Sequence, residues 1–202
     1  MGTKYNFDQK FSDWVHENLA VEKIYTLLEW IPQIMDGTIS KNVDMNNGVD
    51  YFFVEKKTNK IITTQERFRD SFYQKYNDFT IRFERESNPN PERLKSEFFK
   101  IKSDFFVYGI INQSKYTYSS ATDFIKFAVI DLKKLMKKID DGTIVVDRDL
   151  KGLVSVVTDG VMRCPVIYNR DDSSSFVPFN IKQLNDLFKS EKIVILQKGV
   201  FR

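Results

Sequence analysis

Residues 46–70 read NNGVDYFFVEKKTNKIITTQERFRD, and residues 77–85 read NDFTIRFER. Three short runs rich in β-branched and aromatic residues are separated here by turn-forming Asn, Gly, Lys and Asp, the composition of strands joined by tight connections. Val49–Glu55 is expected as one strand and Ile61–Arg69 as a second, with Lys56–Lys60 as a hairpin-type turn and Asp78–Arg85 as a third strand. Consecutive strands joined by short polar loops form an antiparallel meander. Each run also carries polar groups that a strand buried on both faces excludes. Asp50 opens the first; Gln65, Glu66, Arg67 and Arg69 close the second; Arg82, Glu84 and Arg85 stud the third.

Upstream, apolar residues at Phe7, Phe11, Trp14, Val15, Ile24, Tyr25, Leu27 and Leu28 have helical spacing, in two helices that break near Asn18. Glu17 and Glu22 lie on or near them. Trp30–Gly48, with Pro32, Gly37 and Asn42, is expected as a long connection. Its end, Asp44–Asp50, superficially resembles a calcium loop, but its glycine falls one place early and no Glu closes it, which excludes an EF-hand. Ser87–Pro91 breaks the chain, and Pro91–Leu94 opens a short helix.

Asp104–Asn112 is nearly continuous apolar and bulky, as a central strand buried on both faces requires. A strand over Asp123–Ile130 and an amphipathic helix over Asp131–Ile139, stopped by Asp141 and Gly142, follow. Short strands are expected at Thr143–Val146, Leu153–Val157 and Met162–Tyr168, then a polar loop at Asn169–Ser175. Asn180 caps a helix over Ile181–Phe188, and Ile193–Gln197 is a last strand. The pattern is that of an α/β (α+β) protein, a mixed central sheet with an antiparallel meander flanked by helices. One domain over residues 1–202 is expected, with a core at about 7–139 and a C-terminal α/β extension at about 140–202.

Composition agrees with sheet. The 202 residues include 18 Phe and 9 Tyr but only three alanines, Ala20, Ala121 and Ala128. A net charge of +3 neither demands nor excludes a polyanionic partner. One cysteine, Cys164, excludes an internal disulfide and a Cys-rich zinc site, and suits a reducing cytoplasm. His16, the only histidine, reads as a surface or helix-packing residue. Any metal is then a hard, oxygen-bound one. No apolar run has the length of a membrane span, and Met1–Asn6 has no signal-peptide character.

Strand alternation puts Gln65, Arg67 and Arg69 on one face and Glu66 on the other, with Asp50 on the neighbouring strand. An acid on one strand and a polar-x-basic pair on its hairpin partner converge on one point. This layout resembles the PD-(D/E)xK nuclease superfamily, the restriction-endonuclease-like fold, over roughly Phe7–Ile139, with a Q-x-R variant of its E-x-K motif. Asp104 at the head of D-F-F-V-Y also looks like the start of that family's later strand.

The resemblance implies a metal-dependent DNA endonuclease that hydrolyses phosphodiester bonds with Mg²⁺ or Mn²⁺. Asp50 would match the first metal acid, Gln65 the Glu position and Arg67 the Lys position. Gln is neutral, so the metal needs a further carboxylate from Glu66 or Glu17 (or Glu22), and a bulge or one-residue slip would turn Glu66 inward. Arg67 stabilises developing charge but gives up no proton near neutral pH. Arg69, Arg82 and Arg85, with Tyr73 and Tyr76, are candidate contacts to nucleic-acid phosphates and bases; alternatively the arginines pair across strands with Glu66, Glu84 and Glu86. DNA, duplex or branched, is the implied partner, no membrane is expected, and a homodimer is compatible. The alternative is a catalytically inactive protein of the same fold that binds nucleic acid or a protein partner.

Overall fold

The computed structural model describes residues 4–33, 48–85, 94–171 and 173–201. The sequence expectations for residues 34–47 of the long connection, for the 87–91 breaker and for the helix start at 91–93 lie outside them. Helix α1 (Lys4–Val15) runs without a break into a π-helical segment (His16–Tyr25) and a last turn, α2 (Thr26–Leu28). The expected break near Asn18 is therefore a widening of the helix that starts at His16.

Six strands form the central sheet: β1 (Trp30–Gln33), β2 (Tyr51–Glu55), β3 (Ile61–Arg69), β5 (Phe105–Ile111), β6 (Phe124–Asp131) and β12 (Val194–Lys198), in the spatial order β1-β2-β3-β5-β6-β12. β1–β2–β3 is an antiparallel meander, and β5 lies parallel to β3. The architecture is thus α/β with a mixed sheet. The third strand of the meander is β1, from the stretch expected to be irregular, and Pro32 is accommodated because β1 is the sheet edge.

The expected third strand, β4 (Asp78–Arg82), pairs instead with β11 (Ser175–Asn180), which also carries the short β10 (Ile167–Tyr168). Its composition explains the exchange. In β4 only Phe79 and Ile81 are buried, alternating with half-buried Asp78, Thr80 and Arg82, so it suits a small sheet laid on the main one. β5, buried along nearly its whole length, takes the place beside β3. A third sheet joins β7 (Ile144–Asp147), β9 (Val161–Pro165) and β8 (Val156–Thr158).

Short helices complete the set: α3 (Glu97–Lys100), α4 (Leu132–Asp140) and α5 (Ile181–Leu187). The Asp131 and Asn180 side chains accept from the Lys134 and Gln183 amides and so cap α4 and α5. The described residues beyond 140 are woven into the core: β12 edges the central sheet, and β11 places Val177 and Phe179 against Phe79 and Phe106.

Each face of the central sheet has its own core. Phe106, Tyr108, Ile110, Ala128 and Ile130 face β4, β11, α4 and α5. Phe53, Phe68, Val107, Phe127 and Val129 face the N-terminal helix through Phe11, Val15, Leu19 and Ile24. Gly109 is the point of closest approach on that second face: a Cβ there would lie 2.6 Å from Phe124 Cε1 and 3.1 Å from Phe68 Cδ1. Gly109→Ala is expected to destabilise the fold by about 1–3 kcal/mol through overpacking, read as a lower urea midpoint. No helix among the described residues is long and apolar enough to cross a membrane.

Candidate functional site

Glu66 is the centre of the most unusual group of side chains. It lies on β3, opposite Val107 in the register, so it points at the N-terminal helix. Its side chain is 3% exposed. His16 Nδ1 lies 2.8 Å from its Oε1, and the Tyr25 hydroxyl donates to the same oxygen. Oε2 is buried and has no hydrogen-bond partner among the described residues.

The π-helix makes this convergence. His16 and Tyr25 are nine positions apart, which at 3.6 residues per turn puts them on opposite sides of an α-helix. At about 4.4 residues per turn, the spacing of i→i+5 bonding, nine residues return almost to the same side. The bond from Thr26 N to Val21 O has that spacing. His16 then stacks on Tyr51 of β2 with ring centroids 3.5 Å apart and planes 4° from parallel.

Carboxylates from three elements surround Tyr51. Glu66, Asp13, Asp50 and Glu17 all act electrostatically on its hydroxyl, and burial, followed by these charges, drives its pKa far above the ordinary value. Asp13 on α1 has a raised pKa, from burial and then from Glu17, while His16 and a hydrogen bond with Tyr51 act in the opposite direction. Burial first, and then Glu66, raise that of Tyr25. Burial is the larger cause of all three raised pKa values, and the neighbouring carboxylates push each of them further in the same direction.

The structure brings three sequence-named residues, Asp50, Glu66 and Glu17, to this group. Asp50 Oδ2 accepts the Glu66 backbone N–H at 2.6 Å, which ties the head of β2 to β3 where the regular pairing stops. Glu22 is exposed and pairs with Lys23. Asp13, Tyr25 and Tyr51 are not among the residues expected at a site, and His16 was expected as a surface or helix-packing residue. Among the described residues no three of His, Cys, Asp and Glu are grouped to hold a metal ion as they stand.

Gln65 and Arg67 face the other way. Gln65 is buried, its Oε1 lacking a partner among the described residues and lying 3.0 Å from where a Gly48 Cβ would be. Arg67 donates to Thr80 O at 2.7 Å and to Glu97 Oε2 at 2.7 Å. Gln65 and Arg67 therefore do not meet Glu66, and the position two beyond Glu66 is Phe68, a core residue. Arg82 reaches Glu97 Oε1 at 3.4 Å. Burial raises the energy of the Glu97 carboxylate, but Arg67 and Arg82 outweigh it and hold its pKa below the ordinary range. Arg69 lies over the Tyr73 ring at 5.0 Å, and Tyr73 and Tyr76 stand 5.8 Å apart, both partly exposed. Arg82 thus pairs with Glu97 and Glu84 with Arg148 at 2.7 Å, while the pairing expected with Glu86 lies outside the described residues. Comparison of the chain with protein-family models, curated proteins and solved structures gives no match.

Proposed function

We propose that the chain is a nuclease of the restriction-endonuclease-like kind, cleaving DNA phosphodiester bonds with Mg²⁺ or Mn²⁺ at the Asp50–Glu66 centre. The observation that carries the reading is the gathering of Asp13, Glu17, Asp50 and Glu66 around Tyr51, with one Glu66 oxygen buried and unpartnered. The donor set suits a hard cation. Mg²⁺ keeps several waters and is commonly held by one or two carboxylates, so a group of three is not required. Asp50 and Glu66 are the first ligands in this reading, and Asp13 and Glu17 supply further charge from the helix. A bound ion would lower the pKa of its water and neutralise the scissile phosphate.

The chain's own groups have distinct tasks. His16 and Tyr25 fix Glu66 Oε1, which leaves Oε2 as the binding oxygen. The Glu66 amide fixes one Asp50 oxygen and so limits that carboxylate's freedom. His16, from the helix, is the nitrogen-bearing side chain held against Glu66. Arg69 with Tyr73 and Tyr76 offers stacking and phosphate contacts for the nucleic acid. A reducing cytoplasm suits the lone buried Cys164.

One observation favours a second reading, a catalytically inactive protein of this type that binds nucleic acid or a protein partner. Arg67 is tied to Glu97, and Phe68 fills the place of the motif's basic residue. Incubating plasmid and branched DNA with the protein in Mg²⁺, Mn²⁺ or EDTA separates the two. Cleavage that needs the metal and disappears in Asp50→Ala is the expected result. Equal background cleavage by both proteins would sink the nuclease reading and leave the binder.

A further inference from the structure

On the face of the sheet opposite Glu66, Arg82 and Arg85 share a pocket of about 370 Å³ with Ser173 and Ser174. That volume lies near the lower end of the range for small-molecule sites, roughly 300–1,000 Å³. Its two walls are fastened to each other. Arg82 pairs with Phe176 in the β4–β11 register, Phe83 N donates to Ser175 O at 2.8 Å, and Ser175 N donates to Glu84 O at 2.9 Å. Arg85 is held at the rim through its N–H to Leu94 O at 3.0 Å.

The charge around this pocket is unbalanced. Arg67, Arg82 and Arg85 all act on one carboxylate, Glu97, so among the described residues three guanidinium groups share that acid. Glu84 is engaged by Arg148 on another side. Arg82, with a side chain 38% exposed, touches Glu97 at 3.4 Å, a long contact that leaves guanidinium donors for a ligand. Ser174 Oγ accepts from Asn169 Nδ2 at 2.7 Å and keeps its own proton to donate. Ser173 Oγ donates to Asp171 Oδ1 at 2.7 Å, so that carboxylate stands beside the serine end of the pocket.

We infer that this pocket binds a phosphomonoester, the terminal phosphate of a nucleic-acid strand or that of a free nucleotide. Two guanidinium forks and a hydroxyl donor match the oxygens of a phosphate. A terminal phosphate offers three unesterified oxygens to these donors, whereas an internal phosphodiester offers two. The site is separate from the Glu66 centre, because alternation along β3 sends Arg67 and Glu66 to opposite faces. Binding here requires no cleavage, so its test is independent of the nuclease reading.

The experiment is titration of the full chain, in EDTA, with four probes. These are a 5′-phosphorylated single-stranded oligonucleotide, the same strand with a 5′-hydroxyl, a deoxynucleoside 5′-monophosphate and inorganic phosphate. The phosphorylated strand or the mononucleotide is expected to bind at least about tenfold tighter than the hydroxyl strand, the scale of a charge-assisted hydrogen bond. Arg85→Ala should abolish that preference without changing the thermal midpoint, and Arg82→Ala should also abolish it if the variant folds. Strand tighter than mononucleotide identifies a strand end as the ligand; equal affinity identifies a free nucleotide. Equal binding of phosphorylated and hydroxyl strands with no binding of mononucleotide or phosphate overturns the inference. So does a preference that survives in Arg85→Ala. Either failure leaves the metal-dependent cleavage assay untouched.

Discussion

Glu97→Ala is expected to lower the unfolding free energy by about 3–5 kcal/mol, the scale on which breaking a buried ion pair leaves its partner uncompensated. The Glu97 side chain is 19% exposed and that of Arg67 is 17%, so neither group regains full hydration when the other is removed. Arg67 Nη2 lies 2.7 Å from Glu97 Oε2, and both Arg82 Nη1 and Arg82 N lie 3.4 Å from the carboxylate. Without Glu97, the charges of Arg67, Arg82 and Arg85 repel one another between β3 and β4.

Acid carries the same signature. Because the folded pKa of Glu97 is below the ordinary 4.5, its contribution is complete above that value and is lost as pH falls through the lowered one. Urea midpoints of wild type, Glu97→Gln and Glu97→Ala at pH 7 and at progressively lower pH give the check. The wild-type advantage should shrink as pH falls below 4.5. A loss under about 1 kcal/mol at pH 7 in both variants would place this cluster with exposed, weakly coupled ion pairs.

The parts of the fold that sequence reveals are those whose side-chain pattern has a single solution. β3, β5, β6 and α4 are such cases, since long apolar or amphipathic periods leave little choice of partner. β4 was legible as a strand but not as a member of the second sheet, because alternation specifies a buried face and not which neighbour buries it. β11 escaped notice through Pro178. It is tolerated because β10 pairs only with Ser175 and Phe176, so β11 has an open edge beyond them.

The site was half legible for a sharper reason. Alternation correctly separates Glu66 from Gln65 and Arg67, but it does not say which face gathers the further carboxylates. The helix decides that, and its decisive residues are disguised. A 3.6-residue period places His16 and Tyr25 on opposite sides, and only i→i+5 geometry turns both onto Glu66. His16 read from spacing alone is a packing residue; in the fold it is also the hydrogen-bond partner of a buried carboxylate.

On the proposed nuclease reading, Glu66→Gln is expected to reduce metal-dependent cleavage by more than about 100-fold, since it would remove the charge of a proposed first ligand and the several kcal/mol of transition-state stabilisation that depend on it. The fold should survive the change. Gln keeps an acceptor oxygen for Tyr25 and His16, and it replaces a buried carboxylate oxygen that lacks a partner among the described residues, so the unfolding free energy should change by no more than about 1 kcal/mol. Mn²⁺ titrated into the variant without DNA should bind more than about 100-fold more weakly than into wild type, beyond the roughly 10–100-fold loss of a residue that merely shapes the site. His16→Ala has a different expected profile, because of the two Glu66 oxygens His16 meets only Oε1: binding and cleavage should weaken together without vanishing. If Glu66→Gln binds Mn²⁺ and cleaves like wild type while Asp50→Ala is inert, Glu66 is an anchor between helix and sheet. The reacting centre then lies nearer Asp50, Asp13 and Glu17, on the open side of Tyr51.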